Sequence, residues 1–308
     1  NNIGLSVGLF NRVNVNFDFY HKKTTNMLMF VPQSYAISGE SGHWDNIGAM
    51  MNRGVEVAVD GDVIRTRDFT WNLSANFSYN KNKLLELYNG VEEYVNSTTG
   101  LKYVVGHSVH EYFMNRYAGV NPANGDALWY TADGELTTEF REEDKVMTGK
   151  TFDSPWAGGF GTTLMWKGLS LSAQFSWMAK RYVMNNDRFF EESNGIYSAY
   201  NQSKRLLYDR WKKPGDITDI PRYDVVARLD DRFLENTSFL RLKNLTLAYA
   251  LPQPWLKKTN FFSAARVYLQ GQNLLTWTGF TGLEVASNIY RAQYPASRQF
   301  TLGIEVTF

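Results

Sequence analysis

The segment SRQFTLGIEVTF (297–308) alternates residue by residue between two chemistries. Phe300, Leu302, Ile304, Val306 and Phe308 fall on one side, and Gln299, Thr301, Gly303, Glu305 and Thr307 on the other. A period of two belongs to a strand with one apolar and one wet face, and helical spacing cannot produce it. The same pattern recurs upstream. Val13, Val15, Phe17 and Phe19 oppose Asn14, Asn16, Asp18 and Tyr20, and Val55, Val57 and Val59 oppose Glu56, Ala58 and Asp60. Phe69, Trp71, Leu73, Ala75, Phe77 and Tyr79 oppose Thr70, Asn72, Ser74, Asn76, Ser78 and Asn80. Phe160, Thr162, Leu164 and Trp166 run into a two-residue turn, Lys167-Gly168, and Leu169, Leu171, Ala173, Phe175 and Trp177 leave it. A two-residue hairpin puts its flanking pair on one face, so Trp166 and Leu169 place both halves in the same register.

About nine strands follow from this pattern: 2–10, 13–30, 52–65, 68–81, 155–166, 169–181, 236–251, 263–273 and 297–308. Each is near or above the roughly 9–11 residues that a tilted strand needs to cross a bilayer, whereas globular strands run nearer to about 5–6. The connections alternate in length. Residues 11–12, 66–67, 167–168 and 252–262 are on the short side, and 31–51, 82–154, 182–235 and 274–296 on the long side. Short turns at one end and long loops at the other are the pattern of an outer-membrane barrel. A soluble antiparallel sandwich would also hide one strand face. Its outer face would favour Lys and Glu, however, and here the polar face is Asn, Ser, Thr and Gln while Trp71, Tyr79, Trp166, Trp177 and Tyr249 sit near the ends of the apolar one. The expected fold is therefore all-β, a transmembrane antiparallel β-barrel. An odd strand number and a first strand without a partner lead to the expectation that further strands precede Asn1.

Composition narrows the chemistry. Lys+Arg 32 against Asp+Glu 31 gives a net charge of +1, with no basic surplus to attract nucleic acid. Cysteine is absent, which removes disulfides, thiolate metal sites and cysteine nucleophiles together. No apolar run reaches the roughly 18 residues of a membrane-spanning helix, and the N-terminal NNIGLSVGLF has no leader pattern.

Several segments, taken in order, resemble the C-terminal region of SusC/RagA-like TonB-dependent transporters. They are NFDFYHKKT (16–24), WDNIGAMMNRGVEV (44–57), TWNLSANFSYNKNKL (70–84), RYAGVNPANGDALWY (116–130), RWKKPGDITDIPRYD (210–224), SFLRLKNLTLAYALP (238–252), VYLQGQNLLTWTGFTGLE (267–284) and YPASRQFTLGIEVTF (294–308). The resemblance covers nearly the whole chain as one unit, 1–308, and implies the last nine strands of a roughly 22-stranded plugged barrel. It also implies an outer-membrane location with a periplasmic C-terminus, and active import of oligosaccharides or peptides. The implied partners are a SusD-like surface lipoprotein, the TonB-ExbB-ExbD complex acting through the plug, the rest of the same barrel, and outer-membrane lipid. The terminal Phe308 resembles the signal read by the barrel-assembly machinery; an ordinary last strand would look the same. A siderophore-type receptor, a passive porin and an outer-membrane enzyme remain as alternatives.

Recognition is expected in the long loops, because loops on a rigid scaffold carry binding. Aromatic faces beside polar groups suit sugar rings and polar oligomers, and Trp129, Tyr130, Arg210 and Trp211 lead the ligand-binding candidates. Packing of the loops against one another would use the same residues. Asp60-Gly61-Asp62, Asp126 and Asp133-Gly134-Glu135 are acidic segments too short for the six or more oxygens that calcium wants, and they read as turns. His107 and His110 with Glu111 lack further ligands, so no metal or cofactor is expected. No G-x-S-x-G elbow occurs, Gly158-Gly159-Phe160-Gly161 opens a strand rather than a phosphate loop, and no catalytic residue is assigned.

Overall fold

The computed structural model describes residues 1–95, 101–197, 199–259, 261–286 and 294–308. Nine antiparallel strands form one sheet in simple chain order: β1 (Asn2–Leu9), β2 (Val13–Pro32), β3 (Gly42–Arg65), β4 (Phe69–Glu86), β5 (Trp156–Trp166), β6 (Leu169–Ala179), β7 (Phe239–Ala250), β8 (Ala264–Thr278) and β9 (Gln299–Thr307). All nine strands read from the alternation are present. Each pairs with its neighbour in sequence, so successive connections alternate between the two ends of the sheet, and the two longest, 87–155 and 180–238, lie at the same end. The Lys167-Gly168 turn has φ of 47° and 90° at its two central residues, the mirror-image geometry whose twist matches flanking strands. Trp166 lies opposite Leu169, as the pattern required.

The apolar face of this sheet is exposed. Phe300 and Leu302 are 74% and 75% accessible, and Leu73, Phe160, Leu171, Leu247 and Leu269 are also exposed. A protein in water would bury such a stripe, at about 25 cal/mol for each Å². Its ends are marked by aromatic rings. At the long-loop end Trp156 stacks against Tyr79 with centroids 4.2 Å apart, and Phe77 lies 5.5 Å from Trp156 and 6.1 Å from Trp177. At the short-turn end Trp166, Leu169 and Tyr249 share one rung, and Trp71 donates from Nε1 to Thr162 Oγ1 at 3.0 Å. About ten residues separate the belts, which is about 33 Å of strand, and a tilt of about 40° reduces this to about 25 Å. That is the height of an outer-membrane apolar band.

The opposite face is a polar lattice. Asn80 and Asn82 both donate to Asn52 Oδ1 at 3.2 Å, and Tyr20 donates to Asn80 at 3.1 Å. The Tyr20 ring covers Gly54, where a Cβ would collide with it and with the Tyr79 carbonyl. The sheet is therefore wet on one side and greasy on the other, with β1 and β9 as its two edges.

Several boundaries differ from the sequence reading, and β8 for one runs on to Thr278 rather than ending at residue 273. Strand β3 begins at Gly42 rather than at residue 52, because its pairing with β2 continues past bulges between Thr24 and Leu28, and β4 runs on to Glu86. The connection 31–51 thus shrinks to 33–41, which holds one helical turn, Tyr35–Ser38. Asp60-Gly61-Asp62 is not a turn; it lies within β3, with Gly61 opposite Val13 and Leu73. The residues 236–238, assigned to β7, instead belong to and follow a short strand, Leu234–Asn236, that pairs with Tyr182–Met184. Part of the connection between β8 and β9, residues 287–293, lies outside the described residues.

The two longest connections are built structures rather than open loops. Residues 87–155 carry the short pairs Glu93–Val95 with Lys102–Val104 and Glu111–Met114 with Val146–Thr151, and a three-stranded sheet of Arg116–Val120, Ala127–Tyr130 and Leu136–Thr137. Residues 180–238 add the helices Asn186–Glu191 and Arg205–Tyr208. Together they form a cap with its own core, in which Phe233, Asn115, Ser193 and Asp230 are all fully enclosed.

The two faces make opposite predictions. Leu73→Arg, near the middle of the band, is expected to cost about 2–4 kcal/mol and Asn72→Arg less than about 1. Urea unfolding in a lipid bilayer measures both, and equal costs would refute the lipid-facing assignment.

Candidate functional site

The cap meets the wall through polar contacts on the wet face. Asn82 Oδ1 accepts from the Val109 backbone at 3.0 Å and from Ser108 Oγ at 3.3 Å. Arg241, inward on β7, reaches Glu284 of the β8–β9 connection at 2.6 Å, and Arg181 of the cap donates to the carbonyl of the next residue, Val285, at 3.0 Å. These ties hold the cap over the polar side of the sheet.

Within the cap the four aromatic and basic candidates have distinct environments. Trp129 is 4% exposed; its Nε1 donates to Asp230 Oδ2 at 2.8 Å, and its ring meets Tyr117 and Phe140 edge-on. It is part of the cap's framework. Tyr130, next along the strand, is 37% exposed, with the Arg116 guanidinium 5.4 Å from its ring. Trp211 lies across Gly125 and donates to the Pro122 carbonyl at 3.1 Å, so it joins the two long connections. Arg210 stacks on Tyr223 at 5.1 Å. The structure does not gather these four around one point. Of them, only Tyr130 is exposed; Arg210 and Trp211 are half-buried.

A network absent from the sequence reading lies between them. Arg188 donates to Glu192 at 3.0 Å, Asp219 at 2.9 Å and Glu235 at 3.3 Å. Arg205 donates to Glu192 at 2.6 Å and Asp219 at 2.7 Å, and Glu235 accepts from the Thr281 hydroxyl at 2.7 Å. Burial alone would raise the Asp219 carboxyl, but the Arg205 hydrogen bond and the charges of Arg205 and Arg188 hold it below its ordinary value. Next to it, Arg232 is sandwiched between the rings of Tyr117, at 4.3 Å, and Phe233, at 4.6 Å. Burial pushes the Tyr117 phenol up to about 12 and raises the deeply buried Asp230 carboxyl.

Arg205 and Asp219 border two adjoining clefts. The first, about 670 Å³, has four carboxylates (Asp187, Glu191, Glu192, Asp219) against the guanidiniums of Arg188 and Arg205. The second, about 790 Å³, has four cations (Arg205, Arg210, Lys212, Lys213) against three carboxylates. One end is thus net negative and the other net positive. Such a pair of clefts has the charge and size to grip a polar oligomer. His107 pairs with Glu111 at 3.0 Å and His110 with Asp153 at 2.7 Å; among the described residues no group of three or more metal-ligating side chains comes together. The signal for the network was weak in sequence: only Arg188 and Glu192, four apart on a helix, could have been paired in advance.

No family model matches the chain. Among curated proteins it is 30% identical over 99% of its length to the TonB-dependent receptor P3 of Formosa agariphila, and 27% identical over its full length to the TonB-dependent receptor SusC of Bacteroides thetaiotaomicron. Among solved structures, that of the RagAB peptide transporter covers the whole chain at 36% identity with a TM-score of 0.90, and the RagAB peptide importer in its open-open state does so with a TM-score of 0.92. The chain is a SusC/RagA-like segment. It spans about a third of these relatives, 33% of P3, 31% of SusC and 35% of the RagAB chain. The nine SusC/RagA-like strands are therefore an arc of a larger transmembrane β-barrel wall, and the relatives' names are those of receptors and transporters, not enzymes.

Two outcomes test the cap. Trp129→Phe leaves the buried Asp230 short of a donor and is expected to cost about 1.5–3 kcal/mol, seen as faster limited proteolysis within residues 87–155. Because Asp219 titrates below its unfolded value, its contribution is fully present above the ordinary carboxylate range and lost as pH falls through the depressed one. Proteolysis of the cap should accelerate only below about pH 4, and Asp219→Asn should remove that acid-dependent step.

Proposed function

We propose that the protein containing this segment is an active importer in a bacterial outer membrane, with its long loops outside and its last strand ending in the periplasm. The segment supplies part of the wall, part of the wet interior and the cap over it. The observation that carries this reading is a whole-length likeness to SusC and RagAB on a sheet whose apolar face is exposed. Energy comes from TonB with ExbB and ExbD, acting through a plug elsewhere in the barrel, and a SusD-like surface lipoprotein closes the outer mouth.

The cargo is an oligosaccharide or a peptide, and two observations favour a peptide. The solved relatives at 36% identity are named peptide transporters and importers. The adjoining clefts also offer an acidic end and a basic end, which suits a ligand with an amine at one terminus and a carboxylate at the other better than a neutral glycan. Tyr130 and Arg210 are the ligand contacts expected from the original four, with Trp129 and Trp211 holding the cap that presents them.

Growth of a deletion strain on a panel of peptides and glycans as sole nutrients tests the assignment. Loss of growth on peptides alone is expected, with the lipoprotein co-purifying with the barrel. Loss on glycans alone would overturn the peptide reading, and normal growth on every nutrient would overturn import.

A further inference from the structure

The outward face of β2, β3 and β4 continues past the aromatic belt. Phe19, Val55 and Tyr79 share a rung of the apolar face. Two residues further toward the long loops, His21, Arg53 and Lys81 lie directly opposite one another, and two beyond those Lys23, Met51 and Lys83 do. A period of two keeps all six on the outward side. The Arg53 guanidinium, 5.3 Å from the centroid of the outward Phe19 ring, confirms that placement.

At about 4.8 Å between strands and about 6.8 Å between rungs, four permanent cations fall in a patch of about 10 by 7 Å. Like charges directly opposite destabilise a sheet, and Arg53 faces Lys81 across the β3–β4 ladder. Neither they nor Lys23 and Lys83 form an ion pair among the described residues. Of the carboxylates on the same strands, Asp18, Glu56 and Asp60 lie on the opposite, wet face. Elsewhere along the wall the cluster is not repeated. The residues two positions beyond Trp156, Trp177, Leu240 and Trp277 on the long-loop side are Ser154, Ala179, Ser238 and Gly279.

We propose that this patch seats the phosphate groups of an anionic lipid of the outer leaflet, whose acyl chains lie on Phe17, Phe19, Val57 and Tyr79 below it. The patch is continuous with the apolar band, so one molecule can occupy both. Lys and Arg stems cover apolar surface while their heads reach the headgroup level. A bound phosphate also relieves the repulsion between Arg53 and Lys81. The inference rests on the membrane orientation proposed above.

The intact transporter carrying this segment, and its R53Q/K81Q/K83Q variant, are to be reconstituted in phosphatidylcholine nanodiscs. Binding of a bis-phosphorylated glucosamine disaccharide lipid is then measured, alongside the same lipid with its phosphates removed. The variant should bind the phosphorylated lipid about a hundredfold more weakly at low ionic strength, R53K should bind nearly as wild type, and the dephosphorylated lipid should not distinguish them. Equal binding by wild type and the triple variant, or equal binding of both lipids, would overturn the proposal. So would displacement by inorganic phosphate alone at millimolar concentration, which would mark a free-anion site. A heat-dependent gel shift confirms that the variant barrel is folded. Quenching of tryptophan fluorescence by brominated lipid is a separate readout: its absence in the wild type would refute the membrane reading itself, whereas quenching with unchanged lipid binding refutes only the patch.

Discussion

Hydrocarbon offers no hydrogen bonds, so each backbone N–H and C=O that enters it must find its partner on an adjacent strand. The rest of the wall follows from that requirement. Nine strands pair in chain order with no crossover, because hairpins are the shortest way to give every strand two neighbours. Their lengths match the thickness to be crossed, and where β2, β3 and β4 outrun it, the ladder continues into a rim of cations. Strands β1 and β9 each keep a bare side, as segments of a longer wall must.

The packing is inverted relative to a protein in water. Most of the wall's large apolar side chains point outward and stay accessible, while most of the tightly enclosed residues belong to the cap. That core is small and unusually polar. It includes Asp230, Asn115, Thr237 and Ser193 as well as Phe233 and Leu87. Its cohesion comes from directed contacts such as Trp129 to Asp230, and from guanidiniums laid on rings, more than from apolar area. Such contacts fix geometry closely, which suits a structure that must hold charged clefts in a set arrangement above a wet interior.

The cap also gives its aromatic residues structural roles. Trp129 and Trp211 resemble binding residues by type, yet one is sealed and the other bridges two connections. The charged clefts are lined by arginines, lysines and carboxylates brought from residues 185–235, with an acidic excess in one cleft and a basic excess in the adjoining one.

Period two is a local property, so the sequence by itself determined the nine strands, the sidedness of their faces, the Lys167-Gly168 hairpin and the end of the sheet at which the two longest connections lie. Each depends only on neighbours two residues apart and on turn chemistry. The early start of β3, the short strands of the cap, the burial of Trp129 and the Arg188–Arg205–Asp219 network were decided by tertiary structure alone. Strands of three to five residues are too short to show a period, and the contact between Trp129 and Asp230 spans 101 positions. Whether a charge is a solvated ornament or a buried tie depends on what lies across the fold from it, and no local pattern of residues records that distance.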